Sequence, residues 1–596
     1  MVDLNTNNIQ FGENGQVRFT GSASGIDTQA IVESTIQARR AQAVQYERQI
    51  SENTREVSAL NELKTIATDF RNVTDRLRGS TSFFAENTFD KKQGFLTSAS
   101  APSAPPDHTP TAAGQLMGAA ISEDAEVNTH TITIENIAQA HQLRSDAFNS
   151  RTDPLSGQGI TAGDVTINGE TITIDANDTL LDLRNKINDA DAGATATIIS
   201  ASDTEHYLVL AADETGTANA ISFDATATQT SLDIGFQDGT NAIKNELRAA
   251  ENAELTVNGI TGIERSTNEI DDVIDGVTLS LAKAEPNTEI TLDIEPDLNA
   301  IKSDLNSFVE SYNAMRDFIE SQRAETDRDP EVDADGDGDP TNDTEFGPLA
   351  FDSTLRSMVS QLNSIVSSEV GAAADGFQSL GQIGIKVGSD YKLTVDEETL
   401  DNKLLTGAQE IQKLFEVDVT TSDSRIGFSS VSKNTQGGTY YLGVDGTDAS
   451  GNVLGGQIST SPTGATSPNG SLSPEGQGLT ATSQTGAEGL AVVFNGGPSA
   501  SPVADIEVNI SRGLGDQLYQ VLNEATKLSG TLDDDVSTLS DENDRLTDRI
   551  ETIDARLVTV RQRLETKFFA METALAELET LRNTVSQFIE SQNADN

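Results

Sequence analysis

Cysteine and tryptophan are both absent from this chain of 596 residues. Without cysteine there are no disulfides, thiolate-held iron–sulfur clusters or thiol nucleophiles. Histidine is scarce too: His108, His130, His141 and His206 are scattered as loop or strand residues rather than grouped as a zinc ligand set. Basic residues are few, 39 Lys and Arg against 95 Asp and Glu, which gives a formal charge of −56. Because phosphate contact runs on Lys and Arg, this balance argues against nucleic-acid binding and against anionic membrane surfaces. A strongly negative surface suits a salt-rich medium that screens self-repulsion. No segment approaches the roughly eighteen apolar residues of a membrane span. The opening MVDLNTNNIQFGENGQVRF also lacks the basic stretch and apolar run of a cleaved signal peptide. These features fit a cytoplasmic protein, or one exported without a cleaved signal. There is no GxxxxGK[ST] loop, zinc-protease helix or nucleophile elbow. With 95 carboxylates, close acid pairs arise by chance. The reading is therefore of a non-enzyme with no catalytic residue, no cofactor and no metal site assigned.

What the chain does have is a seven-residue apolar repeat at each end. Near the C-terminus, Leu546, Ile550, Ile553, Leu557, Val560 and Leu564 lead into Phe568, Met571, Leu575, Leu578, Leu581, Val585 and Phe588, mostly in steps of three and four. Near the N-terminus, Ile36 precedes a second stripe of Ala43, Tyr46, Ile50, Asn53, Val57 and Leu60, then Leu63, Ile66, Phe70, Val73 and Leu77. So narrow a stripe cannot bury itself on a lone helix, so the two terminal helices must pack on each other, on another copy, or on both. Asn53 sits in the seam, where an Asn can fix register at a cost in stability. A partly exposed Asn there is the alternative.

Between the stripes the chain turns to β structure. VTINGETITI from Val165 to Ile174, and the run from Leu255 through Asn258 and Gly259, each carry an Asn-Gly pair between alternating strands, the strongest short-range hairpin signal. A short helix with Leu180, Leu183 and Ile187 on one face is expected behind a cap at Asp178. Further helices are expected from Pro296 to Arg323, Thr354 to Val366 and Glu397 to Leu414, with a last one starting near Asp516.

The expected fold class is α+β and multidomain, an antiparallel coiled-coil leg built from both termini with β-rich head domains inserted between them. Its expected parts are a flexible segment 1–25, then a helical leg of 26–100 with 297–433 and 514–596. A Pro-rich linker follows at 101–124, a β-rich head domain at 125–150 with 245–296, a second at 151–244, and a β-rich insertion at 434–513. The run Asp333, Asp335, Asp337, Gly338, Asp339 has the first half of a calcium loop, but the twelfth position is Thr344 and Pro340 intrudes. A solvated acidic loop is the favoured reading and calcium binding the alternative.

Several blocks together resemble a known family. They are GSASGIDTQAIVESTIQARR at 21–40, ITIENIAQAHQLRSDAF at 132–148, ELTVNGITGIERSTNEIDDVIDGVTLSL at 254–281, FVESYNAM at 308–315, GPLAFDSTLR at 347–356, SLGQIGIKV at 379–387 and LETKFFAMETALAELE at 564–579. In this order they resemble the bacterial flagellar filament-capping, or hook-associated protein 2, family. The resemblance implies a secreted assembly factor that leaves the cell unfolded through the flagellar type III export machinery with the help of its chaperone. About five copies would form a plate at the extracellular filament tip and hold exported flagellin for ordered incorporation. The paired terminal helices would be legs. Their leftover seam, Ile26, Ile31 and Ile36 at one end and Leu581, Val585 and Phe588 at the other, would dock on filament subunits. An adhesin whose head binds a surface ligand is the alternative.

Overall fold

The computed structural model describes residues 9–11, 17–19, 24–79, 87–324, 326–327, 344–370, 376–462, 470–482 and 485–594. The acidic run from Asp333 to Asp339 and most of segment 1–25 lie outside them. The chain divides into two units, Met1–Asn87 with Lys302–Asn596, and Thr88–Ile301.

In the first unit, the Asp27 side chain accepts the Ala30 N–H at 2.9 Å and opens a helix of 50 residues, Thr28–Leu77. This satisfies one of the donors that a helix start leaves orphaned. The far end of the helix is sealed by aromatic packing. The Phe70 ring lies 5.5 Å from Phe308 and 5.9 Å from Tyr312, and Phe308 lies 5.5 Å from Phe415. These rings are buried, as are Leu518 and Leu522 of the helix Leu514–Thr526, which packs on the first helix. The expected start near Asp516 therefore marks a separate helix. The chain breaks at Lys527–Gly530 and resumes as a helix of 64 residues, Thr531–Ala594. Gly530 is required there by close approach, because a Cβ would sit 2.7 Å from the Glu524 carbonyl oxygen and 2.8 Å from that of Lys527.

This unit also carries an antiparallel sheet of eight strands. In spatial order they are Val417–Thr421, Val503–Arg512, Gly438–Val444, Gly456–Ser459, Gly470–Glu475, Gly478–Ala481, Ala491–Phe494 and Ile426–Ser430. The two edge strands are neighbours in sequence, so the turn Ser422–Arg425 draws the two edges together. The sheet therefore begins at Val417, earlier than the expected insertion at 434–513, and its inward side is filled by Leu442, Ile458, Val492, Phe494, Val508 and Ile510.

The second unit holds two apolar cores. In one, a five-stranded sheet in the order Ile260–Arg265, Ala253–Val257, Thr129–Asn136, Thr288–Pro296, Lys92–Ser100 shares buried side chains with a three-stranded sheet that includes Met117–Ile121. Two expectations change here. Lys92–Ser100, expected in the leg, and 101–124, expected as a linker, both supply strands or buried residues to this core. The Pro-rich stretch is tied down by Thr111, whose N–H and hydroxyl both donate to the Glu285 carboxylate, at 3.0 and 2.6 Å. The strand MGAAI has small residues and a single β-branched one, which hides it from a propensity reading.

The other core joins the hairpin Gly163–Ile167 and Glu170–Ile174 to a four-stranded sheet and the helix Leu180–Asp189. The turn residues Asn168 and Gly169 have φ of 50° and 91°, and Asn258 and Gly259 have 50° and 80°, the left-handed pair that an Asn-Gly hairpin needs. The helix is capped by Thr179, one residue after the expected Asp178, in a reciprocal box with Asp182. Asp178 instead accepts from the Asp175 N–H and Lys186.

Candidate assembly interface

The helices Thr28–Leu77 and Thr531–Ala594 pack against each other, and their contacts set the direction. Glu33 meets Arg561 at 2.7 Å, Arg40 meets Asp554 at 3.0 Å, Gln49 meets Glu542 at 3.0 Å and Asn53 meets Asn543 at 2.9 Å, while Lys64 meets Asp533. Each step up the first helix is a step down the last, so the pairing is antiparallel.

Of the seam residues read from the sequence, Ile36, Leu60, Phe70, Leu546 and Leu557 are buried. Ile50, Val57, Ile550, Ile553, Leu564, Phe568, Met571 and Leu575 are half-buried, and Leu578 is exposed. Ile36 was expected on the docking surface. It is instead buried with Val32 and Leu557, against the half-buried Ile553, Val560, Leu564 and Phe568. Ile26 and Ile31 remain exposed. Phe70 belongs to the aromatic cluster at the base of the seam, where helices beyond the pair surround it.

The pairing ends where the first helix begins. The Ser24 hydroxyl and N–H both donate to the buried Glu572 carboxylate, which the heptad pattern did not single out. Past that clasp the last helix runs on for more than twenty residues. Leu578, Leu581 and Val585 there are 62%, 64% and 51% exposed, and Phe588 and Ile589 are exposed as well.

The charges across the seam are arranged in complement. Asp554, and after it Glu47, hold the Arg40 guanidinium protonated far above its ordinary range. Lys64 lowers the Asp533 carboxyl below its usual value. Glu56 goes the other way. Burial first, then the like charges of Asp352 and Asp535, push its carboxyl up. The small residues Ala43, Ala59 and Ala67 are also buried along the seam and let the helices approach. Ala59 and Ala67 carry little hydrophobic signal in a heptad reading.

Comparison with known proteins identifies the family of the chain. Residues 24–141 match the family described as flagellar hook-associated protein 2 N-terminus, and residues 250–580 match its C-terminus. The flagellar hook-associated protein 2 of Escherichia coli K12 is 29% identical over 447 residues, covering 73% of this chain and 88% of the relative. That of Salmonella typhimurium is 31% identical over 237 residues, 39% of this chain and 48% of the relative. Among solved structures, the D1-D2-D3 domains of the Escherichia coli flagellar cap protein FliD align with 25% identity and a TM-score of 0.43, over 60% of this chain and 89% of that one. The adhesin alternative draws no support from these relatives. The chain belongs to the flagellar hook-associated protein 2 family, the filament caps of the bacterial flagellum.

Proposed function

We propose that this chain, as a ring of about five copies at the extracellular tip of the filament, holds exported flagellin and promotes its ordered incorporation. In this reading it is a structural assembly factor rather than an enzyme, and it reaches the tip through the flagellar type III export machinery with the aid of a chaperone. The supporting observation is the last helix running past its partner, with Leu578, Leu581 and Val585 exposed on a continuing heptad pattern. An apolar stripe on a helix is stable in water only when something covers it for part of the time. Together with the exposed Ile26 and Ile31, this stripe would make weak, exchangeable contacts with filament subunits, as a cap that advances with each added subunit requires. Removing residues 573–596 is expected to leave a folded protein that no longer restores filament growth to a strain lacking the cap, with flagellin lost to the medium. Filaments of normal length in that strain would reject the reading.

A further inference from the structure

The sequence holds five Asn-Gly pairs, at 14–15, 168–169, 258–259, 469–470 and 495–496. Asn14 and Asn469 lie outside the described residues, and the other three sit in two different settings. Asn168 and Asn258 form hairpin turns, between the paired ends Ile167 with Glu170 and Val257 with Ile260. Their side-chain amides are held at both ends. Asn168 Oδ1 accepts the Ser222 N–H at 2.8 Å, while its Nδ2 donates to the Ala192 carbonyl oxygen at 2.8 Å. Asn258 Oδ1 accepts the Thr131 N–H at 2.9 Å, and its Nδ2 donates to His130 Nδ1 at 3.0 Å. Asn495 is different. It follows the strand Ala491–Phe494, is exposed, and has a φ outside the left-handed region. Its backbone N–H donates to the Arg425 carbonyl oxygen at 2.8 Å, yet its side chain makes no hydrogen bond among the described residues, and neither does the Gly496 N–H.

We propose that Asn495 is a site of spontaneous deamidation, and that the two hairpin asparagines are protected from the same reaction. The Gly496 nitrogen, having given its proton to hydroxide, attacks Asn495 Cγ. The N–Cγ bond forms, the Cγ–Nδ2 bond breaks, and ammonia leaves with a proton from water, which regenerates the hydroxide. Water then opens the succinimide ring at either carbonyl, giving aspartate or, with the backbone rerouted through Cγ, isoaspartate. Glycine suits the step because no side chain hinders the attacking nitrogen. Ring closure requires Cγ to swing over the next nitrogen while the backbone between them rotates. In the hairpins both amide hydrogen bonds must break first, and the paired strands on each side resist the rotation. Asn495 carries neither restraint. Either product adds a negative charge, and isoaspartate also adds a carbon to the chain between the buried Phe494 ring and Gly497, whose carbonyl oxygen accepts the Thr447 hydroxyl.

Ageing the purified full chain in mildly alkaline buffer made with heavy-oxygen water tests it. Mass spectrometry of the proteolytic peptides should find an acid carrying a heavy oxygen at 495 at least about tenfold sooner than at 168 or 258, because each hydrogen bond that must open first slows its residue severalfold. In denaturant the three sites should convert at similar rates. Asn495→Gln should abolish the fast site and leave the other two as they were. Gly496→Ala is the poorer choice, because its Cβ would sit 2.3 Å from the Phe494 ring. Similar rates at the three sites in the folded chain, or an Asn495 that stays intact there while the denatured chain converts, would overturn the proposal. A gap that persists in denaturant would overturn it as well, since the local sequence and not the fold would then set the rates. Filament growth enters none of these measurements, so a failed capping assay would leave their outcome intact.

Discussion

The last helix is one element with two fates. From Thr531 to Glu572 its heptad seam is covered by the first helix, and from Leu578 to Ile589 the same repeat faces solvent. Leu557 is 8% exposed and Leu581 is 64% exposed, although nothing in their local sequence separates them. The difference shows that a heptad repeat specifies a capacity to pack. The partner is specified by where the other helix begins, which Asp27 and the Ser24–Glu572 clasp determine.

Substituting one residue from each side of that divide gives the largest contrast. Leu60→Ala removes buried methyl groups from the basal seam and should cost about 2–5 kcal/mol, read as a lowered denaturant midpoint of the helical transition. Leu581→Ala should change that midpoint by less than about 0.5 kcal/mol. A comparable loss from both would mean that the overhang is buried in solution and would break the comparison. A middling effect is expected from the seam charges. In a double-mutant cycle of Arg561→Ala and Glu33→Ala, the coupling should be under about 1 kcal/mol and fade toward 1 M salt, because both side chains are substantially exposed.

The smallest effect concerns Glu56. Its carboxyl titrates higher in the folded chain than in the unfolded one, so the folded state holds more protons across that interval. The stability contributed by the protonated form is present at low pH and is lost as pH rises through the raised value. Glu56→Gln should therefore raise the thermal midpoint at pH 7 by roughly 1 °C, with the gain vanishing toward pH 4. An unchanged midpoint at pH 7 would mean that neither burial nor the charges of Asp352 and Asp535 press on this carboxylate.

Much of this architecture was written in local patterns. The Asn-Gly pairs at 168–169 and 258–259 specify hairpins because few other residue pairs adopt two consecutive positive φ angles. The terminal helices followed from repeats that nothing but a long helix could use. The strands Lys92–Ser100 and Met117–Ile121 escaped because their neighbours in the sheets come from far along the chain, Thr288–Pro296 and Val277–Leu281. Their own residues alternate only weakly. The edge strands Val417–Thr421 and Ile426–Ser430 were missed for a related reason, since each pairs with a strand more than sixty residues away. Ile36 was misplaced because reading a stripe on one helix cannot say how far the opposite helix extends. The Ser24–Glu572 clasp left no periodic trace at all.

Gly530 gives this long pair its bearing. Three carbonyl oxygens crowd the place where any side chain would begin, so the turn into the last helix is held by the lack of an atom. A helix of 64 residues is a lever of about 95 Å, and a tilt of roughly 5° at its foot would carry its far end some 8 Å aside unless the companion helix bent with it. The aim of the greasy tip is thus decided at the other end of the shaft, by a residue that touches nothing the tip will ever meet.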